Sequence, residues 1–365
     1  MAPKVRPGIM DIAPYVGGEA NIPGIAKPVK LSSNENPLGP SPKAMAAFRE
    51  AAVELHRYPD GGAERLREGI SRRFGLAKES IVCGNGSDEL IALLTRAYAG
   101  LGDEVLFSRH GFLMYRLSTL AVGATPRAAP EKNLATDMEA LLAMVTPATR
   151  IVFLGNPNNP TGSYMTAGEL RELRRRLPGD VLLAVDAAYA EFVEAEDYDA
   201  GEDMVRAGDN TVMLRTFSKI YGLAGLRLGW AFCPPAVADV LNRVRGPFNT
   251  SAPAQAAALA ALDDREHENK SRVHNKTWRD WLSTALSAQG YRVHPSVGNF
   301  LLVEFADADA ADLFMKSRGL ILRKMGAYGL GNCLRITIGT EAETRAVAAA
   351  LTDFAGARAL AAGRR

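Results

Sequence analysis

"TVMLRTFSKIYGLAGLR", residues 211–227, sets a short apolar run before two hydroxyls, a lone amine and a glycine-spaced segment ending in arginine. Val212, Met213 and Leu214 read as a buried strand, and Thr216, Ser218 and Lys219 follow at its carboxyl end. Lys219 then has two readings. It is a solvated strand-end residue, or it is a nucleophile held beside an anion site. In open parallel sheets ligands bind outside the carboxyl ends of the strands, so the residues after the other apolar runs bear on the choice.

Working outward, short apolar runs recur at "SIVCG", "EVLFS", "TRIVFLGN" and "VLLAVD", separated by helical stretches such as "SDELIALLTRAYAG" and "TAGELRELRRRL". The alternation predicts βαβ units, an α/β fold whose mainly parallel sheet is covered by helices on both faces. Residues 1–30, rich in Pro and Gly and without period, read as an N-terminal arm. Ser41-Pro42 signals a helix start, with Met45, Phe48, Ala52 and Leu55 on one face; Leu66, Ile70 and Phe74 mark a second helix, ended by Gly75. The large domain is expected over 31–250. A helical stretch near 252–288 then leads into a small α+β domain, so that 251–365 forms the C-terminal unit. Its strands are "NFLLVEF", "ILRKM" and "CLRITIG", with a helix at "DAADLFMKSRGL" and a last one fraying through "GARALAAGRR".

The totals exclude several classes. With 47% hydrophobic and 23% charged residues, the 365-residue chain can bury a sizeable core. Its 43 basic and 41 acidic residues give a net charge of +2, which argues against nucleic acid as a partner. The arginines of "RELRRRLPGD" have the spacing of a helix's solvated side. Cys83, Cys233 and Cys333 are far apart and odd in number, so neither a disulfide framework nor a metal site is expected, and a reducing compartment is. The N-terminal stretch lacks the apolar segment of a signal peptide, and no run approaches the ~18–20 apolar residues of a membrane span. The expectation is a cytoplasmic protein without membrane partners.

Three other strand ends carry unusual chemistry. After "SIVC" comes "GNGSDEL", a glycine-rich turn into a helix whose N–H groups suit an anion, although Ser87 or Asp88 would also serve as a plain cap. After "IVFL" comes "GNPNNPTG", where Pro160 holds Asn159 extended within a turn richer in Asn and Pro than a turn requires. After "VLLAV" comes "DAAYAEF". Asp186 there is either a buried cap or a carboxylate awaiting a cation, and Tyr189 lies three residues on. At the opening stretch, Arg227 suits an oxyanion, and a lysine beside a cation has its charged form disfavoured and becomes nucleophilic. Four such ends on one sheet favour the nucleophile.

Taken together, Asn159-Pro160-Thr161-Gly162, Asp186-x-x-Tyr189 and Thr216-Phe217-Ser218-Lys219 with Arg227 resemble the fold-type I pyridoxal-phosphate aminotransferases, from about Leu31 to Thr340. Within them, "SSNENPLGPSP", "YPDGG", "GNGSDE", "NPNNPTG" and "LRITIGT" resemble the histidinol-phosphate aminotransferase branch. The resemblance implies a large three-layer α/β/α domain, a small α+β domain, and pyridoxal 5′-phosphate as cofactor. It implies that Lys219 makes the covalent link to the cofactor and moves the proton. Asp186 would pair with the pyridinium nitrogen, Asn159 and Tyr189 with the ring hydroxyl. Gly86, Ser87, Asp88, Thr216, Ser218 and Arg227 would hold the cofactor phosphate. Tyr58 would reach the phosphate of a neighbouring subunit, which implies a homodimer. Phe112, in "HGFLMY", takes the ring-stacking position, without the hydroxyl of many relatives.

For substrates the resemblance implies glutamate and 2-oxoglutarate on one side, histidinol phosphate and imidazole-acetol phosphate on the other. Tyr15, Asn36, Arg323 and Arg335 would bind them; two arginines suit a dianionic phosphate, although Arg323 also reads as a surface strand residue. An aromatic amino-acid aminotransferase and a threonine-phosphate decarboxylase share the scaffold and stay open as alternatives. A cofactor-sensing transcriptional regulator is disfavoured, because the pattern begins near residue 31 and leaves no room for a DNA-binding domain.

Overall fold

The computed structural model describes residues 3–6, 8–15, 17–208 and 210–362. Seven strands form the central sheet: β1 (Ile81–Gly84), β2 (Glu104–Ser108), β3 (Thr125–Ala129), β4 (Thr149–Gly155), β5 (Leu182–Asp186), β6 (Thr211–Thr216) and β7 (Gly229–Phe232). Their spatial order is β1-β7-β6-β5-β4-β2-β3, and every pairing is parallel except those of β7, which runs antiparallel to both neighbours. Alternate residues face opposite sides. Ile81, Met213 and Trp230 enter one apolar cluster, while Val82, Val212, Leu214 and Ala231 enter the one across the sheet. Both faces are thus covered, as the near-continuous apolar runs require.

Local signals set the helices. Ser41 Oγ accepts the Ala44 N–H at 3.1 Å and Pro42 opens the helix Pro42–Ala52. Leu55, expected on its apolar face, lies beyond the helix and is 69% exposed. The helix Glu64–Phe74 stops at Gly75, whose φ of 64° only glycine adopts at no cost. The single helical stretch expected near 252–288 is two helices, Ala252–Leu262 and Arg265–Ala288. The break falls at Asp263 and Asp264, and the Asp264 carboxylate starts the second helix by accepting the His267 N–H.

A second, antiparallel sheet has the order Arg292–His294, Phe300–Glu304, Cys333–Thr337, Arg323–Lys324. Leu282, Leu301, Met315, Ile336 and Leu351 bind it to the helices Arg265–Ala288, Ala308–Ser317 and Glu341–Ala362. Residues 29–31 belong to this layer: Val29–Lys30 pairs in parallel with Leu320–Ile321, and Leu31 is buried in the same cluster. Of the expected fraying end, residues up to Ala362 are helical and 363–365 lie outside the described residues. Among the described residues the three cysteines are free and buried, no group of side chains suits a metal ion, and no helix is long and apolar enough to cross a membrane.

Candidate active site

A cavity of about 410 Å³ lies at the carboxyl ends of β1, β4, β5 and β6, walled on its other side by Lys30, residues 32–35 and by Arg323, Tyr328 and Arg335. The four strand ends singled out in the sequence meet in it.

Asp186, the last residue of β5, is only 6% exposed. Its Oδ2 accepts the Tyr115 hydroxyl at 2.9 Å, while Oδ1 is buried without a partner. Burial pushes the carboxyl up from 3.8 to about 6, against the pull of the Tyr115 hydroxyl, the Ala188 N–H and Lys219. Asp186 is not a plain cap: the short helix Ala190–Phe192 starts from Tyr189 with no side-chain cap, and the carboxylate meets a tyrosine hydroxyl from another element. An orphaned carboxylate oxygen at a cavity wall is costly until a cationic N–H donor meets it. Nearby, Lys219 Nζ donates to the Ser33 carbonyl at 3.3 Å and stands 5.5 Å from the centre of the Tyr189 ring. The buried Tyr189 hydroxyl accepts from Asn34 Nδ2 at 2.9 Å.

The anion cradle is more open than a capped helix. The helix Ser87–Tyr98 starts from Gly86 at φ 81° with no side-chain cap, so Ser87 is its first residue and neither Ser87 nor Asp88 closes its N–H groups. A Cβ on Gly86 would lie 2.5 Å from Arg227 Nη2. Arg227 donates to Asp88 at 3.1 Å and to Ser218 Oγ at 3.2 Å, and Thr216 Oγ1 accepts the Ser218 N–H at 3.1 Å. Open N–H groups at a helix start, hydroxyls and a guanidinium are the donor set of a phosphate.

At the second sheet, Arg335 is buried; it donates to Asn159 Oδ1 and, at 2.8 Å, to the Ser32 carbonyl. Burial pushes its guanidinium below the usual arginine range. Arg323 is its cross-strand partner and lines the same cavity.

The profile of the family "Aminotransferase class I and II" matches residues 26–351. The chain belongs to the class I and II aminotransferases. This aminotransferase is 59% identical to the histidinol-phosphate aminotransferase of Paramagnetospirillum magneticum, over 98% of the chain and 99% of the relative. It is 57% identical to that of Rhodospirillum centenum, over 96% and 98%. The crystal structure of the Sinorhizobium meliloti histidinol-phosphate aminotransferase in complex with pyridoxal-5′-phosphate superposes with a TM-score of 0.89 at 29% identity, covering 96% of this chain and 97% of the other. Fold-type I architecture follows.

The aminotransferase cavity gathers most of the residues expected of it, but not all. Phe112 lines it, edge-on to Tyr115 with ring centres 5.9 Å apart, and Tyr15 stands at its mouth. Asn36 does not line it; its amide donates to the Ile220 carbonyl at 2.7 Å and to Ser271 Oγ at 2.9 Å. Tyr58 is 82% exposed, outside the cavity of its own chain, stacked on Phe248 at 4.6 Å. Sequence reasoning missed Tyr115, Asn34, Tyr328 and the Lys30–Glu35 pair. "SSNENP" was legible as a motif, but not the wall it builds.

Proposed function

We propose that this chain is a cytoplasmic, homodimeric histidinol-phosphate:2-oxoglutarate aminotransferase of histidine biosynthesis that works with pyridoxal 5′-phosphate. The observation that carries the reading is the meeting, in one cavity, of an amine (Lys219), an unsatisfied carboxylate (Asp186), an open anion cradle and a pair of arginines. The orphaned Asp186 Oδ1 fits a pyridinium N–H, and the cradle at Gly86 fits the cofactor's phosphate. Full-length similarity to two enzymes of that name supports the substrate.

When bound, pyridoxal phosphate supplies an aldehyde for covalent attachment and an electron-poor ring that stabilises negative charge on the substrate carbon. Lys219 Nζ would hold the cofactor covalently and would be the group that accepts and returns the proton. Ionised Asp186 would hold the proton on the cofactor's ring nitrogen. Asn159 and Tyr189 would hold the ring hydroxyl, and Phe112 would pack against the ring. Gly86, Ser87, Asp88, Thr216, Ser218 and Arg227 would hold the phosphate. Arg323 and Arg335 take the phosphate of histidinol phosphate in one half-reaction and a glutamate carboxylate in the other, with Tyr15 closing over the substrate. Because both amines use one cavity in turn, the kinetics are ping-pong. Tyr58, exposed and stacked on the partly exposed Phe248, would serve a second copy of the chain, and this pair of exposed aromatic rings suits burial in a dimer. Three buried free thiols suit a reducing cytoplasm.

Steady-state kinetics test the reading, with histidinol phosphate, phenylalanine and tyrosine as donors to 2-oxoglutarate. The highest kcat/KM is expected for histidinol phosphate. A preference for the aromatic amino acids, or carbon dioxide release from threonine phosphate, would replace it.

A further inference from the structure

One carboxylate on the cavity wall has no part in this mechanism. Of the acids lining the cavity, Asp88 is tied to Arg227 and Asp186 to Tyr115. The third is Glu35, whose carboxylate, among the described residues, accepts from Lys30 alone, with Nζ 2.6 Å from Oε1. The two side chains are 43% and 31% exposed.

Their place is set by the segment before Glu35. The Ser32 carbonyl meets Arg335, the Ser33 carbonyl meets Lys219, and Asn34 meets Tyr189. The wall thus passes from the anion-binding arginine to the reacting amine to the ring hydroxyl. Asn34, at φ 56°, then turns the chain, and Asn299 Nδ2 holds the Glu35 carbonyl at 3.4 Å. Three residues of chain span at most about 11 Å, so Glu35 stays within reach of a molecule anchored at Arg335.

Resting on the histidinol-phosphate reading, we propose that Lys30 and Glu35 form a subsite of two signs for the part of the substrate that changes between the half-reactions. Both amines share a reacting nitrogen and an anionic group for the arginines. They differ at the remaining end: an imidazole, which donates an N–H and can carry a proton, against a second carboxylate. A wall of one charge would attract one and repel the other, and an apolar wall would leave either unpaired. An ion pair facing water contributes little by itself, so parting it costs little. Each half then offers a charge-assisted hydrogen bond: Glu35 to the imidazole, Lys30 to the carboxylate of glutamate.

The test uses the holoenzyme and its Glu35→Gln and Lys30→Gln variants, with single-turnover half-reactions followed by cofactor absorbance. The amines are histidinol phosphate, its phenyl isostere 2-amino-3-phenylpropyl phosphate, and glutamate. Calorimetry of imidazole-acetol phosphate and its phenyl counterpart on the aminated enzyme gives a readout independent of turnover. Glu35→Gln is expected to reduce the preference for imidazole over phenyl by about ten-fold, in rate and in binding, the scale of one charge-assisted bond. Lys30→Gln is expected to reduce glutamate relative to histidinol phosphate by a similar factor. Ratios unchanged within about two-fold in both variants overturn the proposal. Wild-type enzyme that does not turn over histidinol phosphate removes the functional reading beneath it, a distinct result. If thermal unfolding shows either Gln variant to be unfolded, Glu35→Asp and Lys30→Arg, which keep the charge and move it, should shift the same ratios part-way.

Discussion

Replacing Tyr115 by phenylalanine removes one hydroxyl and tests the electrostatics of the whole site. The ring stays stacked on Phe153, with centres 4.9 Å apart and planes 2° from parallel, so packing changes little. What is lost is the bond to Asp186 Oδ2. A hydrogen bond to a charged group contributes about 1.5–3 kcal/mol, and one pKa unit corresponds to about 1.4 kcal/mol. The Asp186 carboxyl, already raised to about 6 by burial, should then titrate near ~7–8. Tyr115 itself, pushed well above 10 by burial and by the charge of Asp186, remains a donor throughout this range.

The sign follows from linkage. A carboxyl with a raised folded-state value makes its protein most stable below its ordinary 3.8, and stability is lost as pH rises towards the folded value. For the cofactor-free protein the loss between 3.8 and about 6 is on the order of 3 kcal/mol. Cofactor binding runs the other way, because the pyridinium needs the ionised carboxylate. Affinity for pyridoxal phosphate should rise through pH ~6 in wild type and through ~7–8 in Tyr115→Phe, leaving the variant about two- to ten-fold weaker at neutral pH. Fluorescence titration of cofactor-free protein from acid to mildly alkaline pH measures this. The cofactor's own titrations are common to both proteins, so the difference isolates Asp186. Coincident midpoints would refute the reasoning.

Further expectations concern single residues. Borohydride reduction followed by peptide mapping should locate the cofactor on Lys219, and Lys219→Ala should abolish turnover; an adduct elsewhere, or normal transamination by the variant, removes Lys219 from the mechanism. Arg323→Ala should raise KM for histidinol phosphate more than for glutamate, by about ten-fold if one charge-assisted bond is lost, and equal effects would discard its phosphate role. If the proposed dimer shares its sites, Tyr58→Ala should weaken cofactor binding, and mixing it with Lys219→Ala chains should restore activity in hybrids, where one site regains both side chains. Mixtures no more active than the separate variants would place Tyr58 outside the neighbour's site.

The strand ends were legible because each signal is local: an apolar run, then glycine, asparagine, a carboxylate or a lysine at the turn. The Ser41 cap and the Gly75 stop were legible for the same reason. What stayed hidden depends on distance or on weak pattern. Tyr115 is an aromatic residue in a short helix, and only packing across 71 residues of sequence brings it to Asp186. Strand β7 is four residues inside a segment dominated by its motif, and β3, "TPRAA", has almost no hydrophobic signal. The break at Asp263 and Asp264 hid because polar residues also fit the solvated face of one long helix. Asn36, expected among the substrate residues, instead ties the loop to Ile220 and Ser271 through its amide, a contact with no local signal in the sequence.

The wall formed by Ser32, Ser33 and Asn34 also governs when the catalytic pocket can exist during synthesis. The Asn34 N–H ends on Thr337 Oγ1, 303 residues later, and Arg335 reaches back the same distance to Ser32. A nascent chain can assemble the central sheet while these early residues remain without their partners. The pocket closes only after residues 335–337 have left the ribosome, so coenzyme loading reports on chains extended past that point and waits on contacts between residues about 300 positions apart.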